Sequence, residues 1–135
     1  MRRRVILAMT ALLVSNLALF GHSASTIRAD DATRVVAVQE SIPVEPSALT
    51  TTEVTSSSIS ISWTDNSSDE TGFKIERCGG SSCTDFTQIG TMPAGVTNIT
   101  DWGLSKNKTF KYRVRAYNSA GDSAYSNIAT ATTTR

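Results

Sequence analysis

Residues 57–63, Ser57-Ser58-Ile59-Ser60-Ile61-Ser62-Trp63, alternate without a break, with Ile59, Ile61 and Trp63 on one side of an extended chain and Ser58, Ser60 and Ser62 on the other. A period of two marks a strand with one buried face and one solvated face. The same rhythm returns in Phe73 and Ile75 against Lys74 and Glu76. It returns again in Phe110, Tyr112, Val114 and Ala116 against Lys111, Arg113 and Arg115. Weaker strand-like runs cover 48–52, 86–91, 96–100 and 123–132, and clusters of Gly, Asn, Asp and Ser separate them. Seven strands in about 85 residues predict an all-β, two-sheet sandwich beginning at Pro46. No segment after Pro46 carries a helical period.

Upstream of that region the chain changes character. Met1 to Arg4 is basic, Val5 to Phe20 is an apolar run, and small residues follow at Gly21, Ser23, Ala24 and Ser25. This three-part layout reads as a secretory signal peptide over 1–25, cleaved after Ser23 or Ser25. An uncleaved anchor is the alternative, but Ser15 and Asn16 interrupt a run that already falls short of the roughly 20 apolar residues of a membrane span. The product is therefore expected outside the cytoplasm: secreted, periplasmic or at the cell surface. Residues 26–45 read as a flexible N-terminal linker, with Val35 to Val38 as a weak candidate for an extra edge strand. The sandwich is then expected over 46–134.

Charge excludes some partners. The chain has 13 basic and 12 acidic residues, but removing Arg2, Arg3 and Arg4 leaves 10 against 12, a net charge of about −2. Nothing in that balance draws the mature chain to nucleic acid or to an anionic membrane. A monomer with no cofactor is the expectation.

Several spaced motifs then resemble the fibronectin type III family, in the form found in bacterial extracellular proteins. Pro46 precedes Leu49; Trp63 leads into the loop 64–72; Phe73-Lys74-Ile75-Glu76-Arg77 follows; and Gly103-Leu104 stands ahead of the strand Phe110 to Asn118. The resemblance implies a seven-stranded immunoglobulin-like sandwich closed around Trp63, with Phe73, Ile75, Leu104, Phe110, Tyr112 and Val114 in its core. Two departures carry expectations. The family's tyrosine six residues after the leucine is Phe110 here, so the connecting loop should be held by packing alone. The family's usual Pro-Gly is Lys106-Asn107, which should loosen the turn. The Arg-Gly-Asp of adhesive members is absent from the loop 118–122.

Cys78 and Cys83 flank Gly79-Gly80-Ser81-Ser82 between two expected antiparallel strands. In an oxidising compartment two cysteines permit one intramolecular disulfide, worth on the order of 2 kcal/mol for so short a loop. A metal site would need further ligands, and the sole histidine, His22, lies in the signal region. The same shortage of histidine removes the base that a nucleophilic serine or cysteine needs. Asp65, Asp69 and Glu70 share one loop, but their spacing fits no calcium loop, and they are expected to shape the turn. No catalytic residue and no metal ligand is therefore assigned.

The candidate ligand contacts are Trp102, Tyr117, Arg113 and Arg115. Arg113, Arg115 and Tyr117 should share one outer sheet face with Lys74, Glu76 and Lys111, either as a basic docking patch or as an ordinary charged face. Trp102 either presents a flat ring to a sugar or a partner protein, or folds back over the end of the core; the second is the expectation. The function that follows is a non-catalytic binding or spacer module contacting an extracellular polysaccharide or protein. The alternative is an accessory domain derived from a larger carbohydrate-active enzyme.

Overall fold

Alternating apolar side chains need a second layer to cover them, and two sheets supply it. A computed structural model describes residues 40–135. The expected signal peptide (1–25) and residues 26–39 of the expected linker, including Val35 to Val38, lie outside the described residues. Eight strands appear: β1 (Ser47–Val54), β2 (Ser58–Thr64), β3 (Gly72–Gly79), β4 (Thr87–Pro93), β5 (Asn98–Trp102), β6 (Thr109–Asn118), β7 (Gly121–Asp122) and β8 (Ala129–Thr132). One sheet has the order β1-β2-β5; the other runs β4-β3-β6-β7, with β8 also on β6. Every pairing is antiparallel.

The inward faces make one core. Ile59, Ile61 and Trp63 from β2 meet Phe73 and Ile75 from β3 and Tyr112, Val114 and Ala116 from β6. Leu49, Leu104 and Ala129 close its margins, and Phe110 is half-buried against it. Trp63 is 5% exposed and meets Phe73 edge to face, with ring centroids 5.5 Å apart. That geometry suits two aromatic quadrupoles across a sheet interface.

Four expectations need correction. The sequence predicts seven strands with the last over 123–132, whereas only 129–132 of that run pair, as β8, and the additional short strand β7 precedes it. Serine chemistry explains the gap. The Ser123 and Ser126 hydroxyls accept hydrogen bonds from the Ala116 and Val114 backbone N–H groups, at 2.9 and 3.1 Å. Side chains thus take over part of the ladder, as short polar side chains do when they compete with backbone pairing.

The loop ahead of β6 is not held by packing alone. Thr133, buried at its side chain, donates to the Ser105 carbonyl at 2.7 Å and accepts from the Lys108 N–H at 3.0 Å. Nor is the turn loosened by losing Pro-Gly: Asn107 adopts φ 56°, the left-handed conformation a glycine would supply, and its N–H reaches the Thr134 carbonyl at 3.1 Å. Asparagine tolerates that region better than most residues.

Contacts with the domain also begin ahead of Pro46. Pro43 is buried, and the Asn118 amide donates to the Ser41 carbonyl at 2.7 Å. Ser119 bonds Glu40 beside it. Residues 40–45, expected as linker, therefore lie against the β6–β7 end of the domain.

Two details fix the spacing of strands. Asn127 pairs with Leu49 like a short piece of backbone, accepting from its N–H and donating to its carbonyl, both at 2.8 Å. It satisfies β1 where the register with β2 slips between Ser47 and Thr50. At Gly72 a Cβ would stand 2.3 Å from the Met92 carbonyl oxygen, so only glycine allows β3 and β4 to approach there. Gly72→Ala is expected to lower unfolding stability by about 1–3 kcal/mol, measured by urea denaturation. An unchanged midpoint would mean that the two strands have room to part.

Candidate binding surfaces

The two outer faces of the sandwich differ in chemistry. On the face of β3 and β6, strand alternation turns Lys74, Glu76, Arg113 and Arg115 outward, opposite the core residues between them. Glu76 carries the arrangement, with its side chain only 7% exposed. One of its oxygens accepts from Arg113 Nε at 2.7 Å and Nη2 at 2.6 Å. The other accepts from the Tyr125 hydroxyl at 2.8 Å and faces Arg115 Nη2 at 3.4 Å. Arg115 continues to Asp122 at 3.0 Å, and Asp122 binds Lys74 at 2.6 Å.

Aromatic rings cover this row of charges. The Arg113 guanidinium lies 4.3 Å from the Phe86 centroid and 3.7 Å from that of Tyr125. Lys74 stands 5.1 Å from the centroid of Tyr117. Burial and the bond to Glu76 both push the Tyr125 hydroxyl pKa up. Arg113, Arg115 and Tyr117 thus lie together, as their alternation in β6 implies, but each is engaged within the domain. A planar guanidinium held between rings and a carboxylate makes a stable surface.

Trp102 lies elsewhere, at the end of β5 in the other sheet. It is 73% exposed and does not fold over the core, which corrects the expectation from sequence. The reason is the phase of the strand. Ile99 and Asp101 face inward, so Thr100 and Trp102 face out. Asp101 is fixed in that phase because one of its oxygens accepts from Arg77 Nη1 at 2.7 Å and from the Tyr112 hydroxyl at 2.9 Å. Its side chain is 10% exposed. Just beyond, Gly103 takes φ 75°, and the Leu104 N–H donates to the Ser57 carbonyl at 2.9 Å. The indole is therefore mounted between two anchored points.

The outer register of this sheet places Ser62 beside Asn98 and Thr50, Ser60 beside Thr100 and Glu53, and Ser58 beside Trp102. Ser60 and Thr100 share a hydrogen bond of 2.9 Å. The strip is short-chained and polar, with the indole rising from one end.

The remaining sequence candidates occupy turns. Cys78 and Cys83 form a disulfide with Cα atoms 6.0 Å apart, at the end of β3. Asp65 accepts from the Ser67 N–H at 3.0 Å, and Asp69 from the Ser67 hydroxyl at 2.7 Å, which is turn chemistry. Among the described residues no group of three or more His, Cys, Asp or Glu is placed to hold a metal ion. A shallow groove of about 530 Å³ runs between Gly79, Gly80 and Ser81 on one side and Ser105 with Asn107, Lys108, Thr109 and Phe110 on the other. Sequence reasoning did not single out Asp101, although its signal was present: a carboxylate in the inward phase of a strand requires a partner.

Comparison with known proteins places this architecture. The profile of the fibronectin type III domain matches residues 44–132. An alpha-amylase of Niallia circulans is 41% identical over 95 residues, 67% of this chain and 7% of the enzyme. Exoglucanase B of Cellulomonas fimi is 34% identical over 95 residues, 69% of this chain and 8% of the enzyme. The chain thus spans less than a tenth of either relative. Among solved structures, titin kinase with its flanking domains superposes with a TM-score of 0.62 at 24% identity, over 70% of this chain and 18% of that one. A myokine structure gives 0.58 at 21%, over 69% of this chain and 99% of the other. At these identities the structures speak for the fold alone.

Tyr112 makes the Asp101 clamp testable through pH. Burial chiefly, then the bond to Asp101, raise its hydroxyl pKa far above the ordinary value of 10.0. The folded chain therefore keeps a proton that the unfolded chain loses, so the stabilisation is complete below about pH 10 and falls away above it. Tyr112→Phe is expected to cost about 1–2 kcal/mol at neutral pH and to flatten the alkaline loss of stability. Denaturant midpoints between pH 8 and 11 measure both, and an unaltered alkaline slope in the variant would contradict the assignment.

Proposed function

The chain belongs to the fibronectin type III domain family, and from that membership we propose that it is a secreted, non-catalytic accessory module that touches polysaccharide alongside carbohydrate-active enzymes. The observation that carries the reading is the pair of relatives. An alpha-amylase and an exoglucanase are named for different reactions, yet each matches this chain over 95 residues, 67% and 69% of it, so the two matches overlap. A stretch common to both, and so small a part of either, sets neither reaction; it serves something the two enzymes have in common. Acting on a glucan is the common ground their names give. The basic start, apolar run and small residues of 1–25 support export. One sandwich fold hosts many functions, so the relatives and the surface carry more weight here than the architecture.

The test uses the purified full chain in two assays. Reducing-sugar release from starch, cellulose and chitin is expected to stay at background. Depletion from solution by insoluble starch, cellulose, chitin, peptidoglycan or whole cells is expected to be saturable for at least one of them. Sugar release above background would overturn the non-catalytic reading. No depletion by any of them would overturn the polysaccharide contact and leave a spacer.

A further inference from the structure

We propose that the outer face of β1, β2 and β5, ending in Trp102, is the surface through which this domain lies on an insoluble, neutral, β-linked glucan of the cellulose type. The inference deepens the accessory-module reading and rests on it, naming the face and the polymer. Three observations converge on that face.

The first is the mounting of the ring. An indole 73% exposed on a strand end is an unusual use of a large apolar side chain, and here the backbone beneath it is pinned. Asp101 on one side is tied to Arg77 and Tyr112, and Leu104 on the other is tied to Ser57. A ring carried on a fixed backbone has only its own side-chain torsions to lose on binding, which favours recognition by stacking. A pyranose with equatorial hydroxyls offers an apolar C–H face of matching size, and tryptophan pairs a broad apolar plane with a polar N–H.

Charge is the second. Ser60, Ser62, Asn98 and Thr100 supply hydroxyl and amide groups in register with the indole, and Glu53, on the far strand, is the one charged side chain in that register. A neutral polymer rich in hydroxyls matches such a strip; a polyanion or polycation finds almost no counter-charge on it. On the opposite face the candidate cations are already matched within the domain, Arg113 to Glu76 and Lys74 to Asp122.

Shape is the third. Serine, threonine and asparagine stand only a few atoms above the backbone, so the indole is the one aromatic side chain among the outward residues of β2 and β5. A single plane with no second aromatic beside it meets a flat ribbon. It offers no curved cradle to a helical α-linked glucan. Outward residues along β5 recur at roughly 7 Å, which gives an extended chain polar partners along its length.

Depletion of the full chain by microcrystalline cellulose tests the proposal, with granular starch and chitin as parallel arms and thermal melting recorded for each protein. Trp102→Ala removes the ring, and Thr100→Glu places a charge and added bulk on the strip. Saturable binding to cellulose is expected, reduced about tenfold by Trp102→Ala, the scale of one lost stacking partner. Thr100→Glu should reduce it similarly, and both variants should melt near the parent. Two outcomes would overturn the inference while leaving the accessory-module reading in place: undiminished cellulose binding in both variants, or binding to starch or chitin but not to cellulose. Binding to none of the three polymers would overturn the proposed face and polymer and count against the accessory reading as well.

Discussion

Arg77 on β3 and Tyr112 on β6 both donate to one oxygen of Asp101 on β5, so a single carboxylate joins the two sheets at one end of the sandwich. Desolvating a carboxylate is costly, and the bonds from a guanidinium and a phenol offset that cost only if all three groups keep their places. The geometry in turn fixes the phase of β5. With Asp101 turned inward, its neighbour has no choice but to face solvent. Exposure of Trp102 is thus a consequence of core chemistry and not an accident of a loose loop.

The two faces divide the work of the molecule. On β3 and β6, charges meet opposite charges and aromatic rings cover the guanidinium groups, which makes that surface part of the structure. The face of β1, β2 and β5 is nearly uncharged, low in relief and interrupted by one indole. The first face is thus bound up in the domain's own contacts, and the second is the face on which the proposed polysaccharide contact is placed. The contrast also explains how a short chain can keep a sandwich ordered while presenting a tryptophan to water.

Much of this was legible in the sequence, for identifiable reasons. Alternation placed Ile59, Ile61 and Trp63 inward because a half-buried strand admits no other pattern, and the core strands β2, β3 and β6 emerge where that pattern is strongest. What escaped depends on long-range partners. The bonds of Thr133 to the loop before β6 link residues far apart in the chain, so no local motif announces them. Asn107 could replace a glycine because asparagine tolerates a positive φ, a substitution that reads as loosening until the backbone is seen. The β7–β8 interruption follows from serine hydroxyls pairing with backbone N–H groups, which propensity does not register. Trp102 was misread because a large apolar residue beside a turn is usually covered. Only the inward demand of Asp101 reverses that expectation.

Trp102 is an exposed ring on a rigid mount, and nuclear magnetic resonance of the full chain addresses both properties together. A soluble paramagnetic agent should broaden the Trp102 indole N–H and spare the buried Trp63 indole. The backbone order parameter at Trp102 should lie near 0.85, the value of rigid structure. A protected Trp102 indole, or an order parameter below about 0.6, would contradict this reading of Trp102.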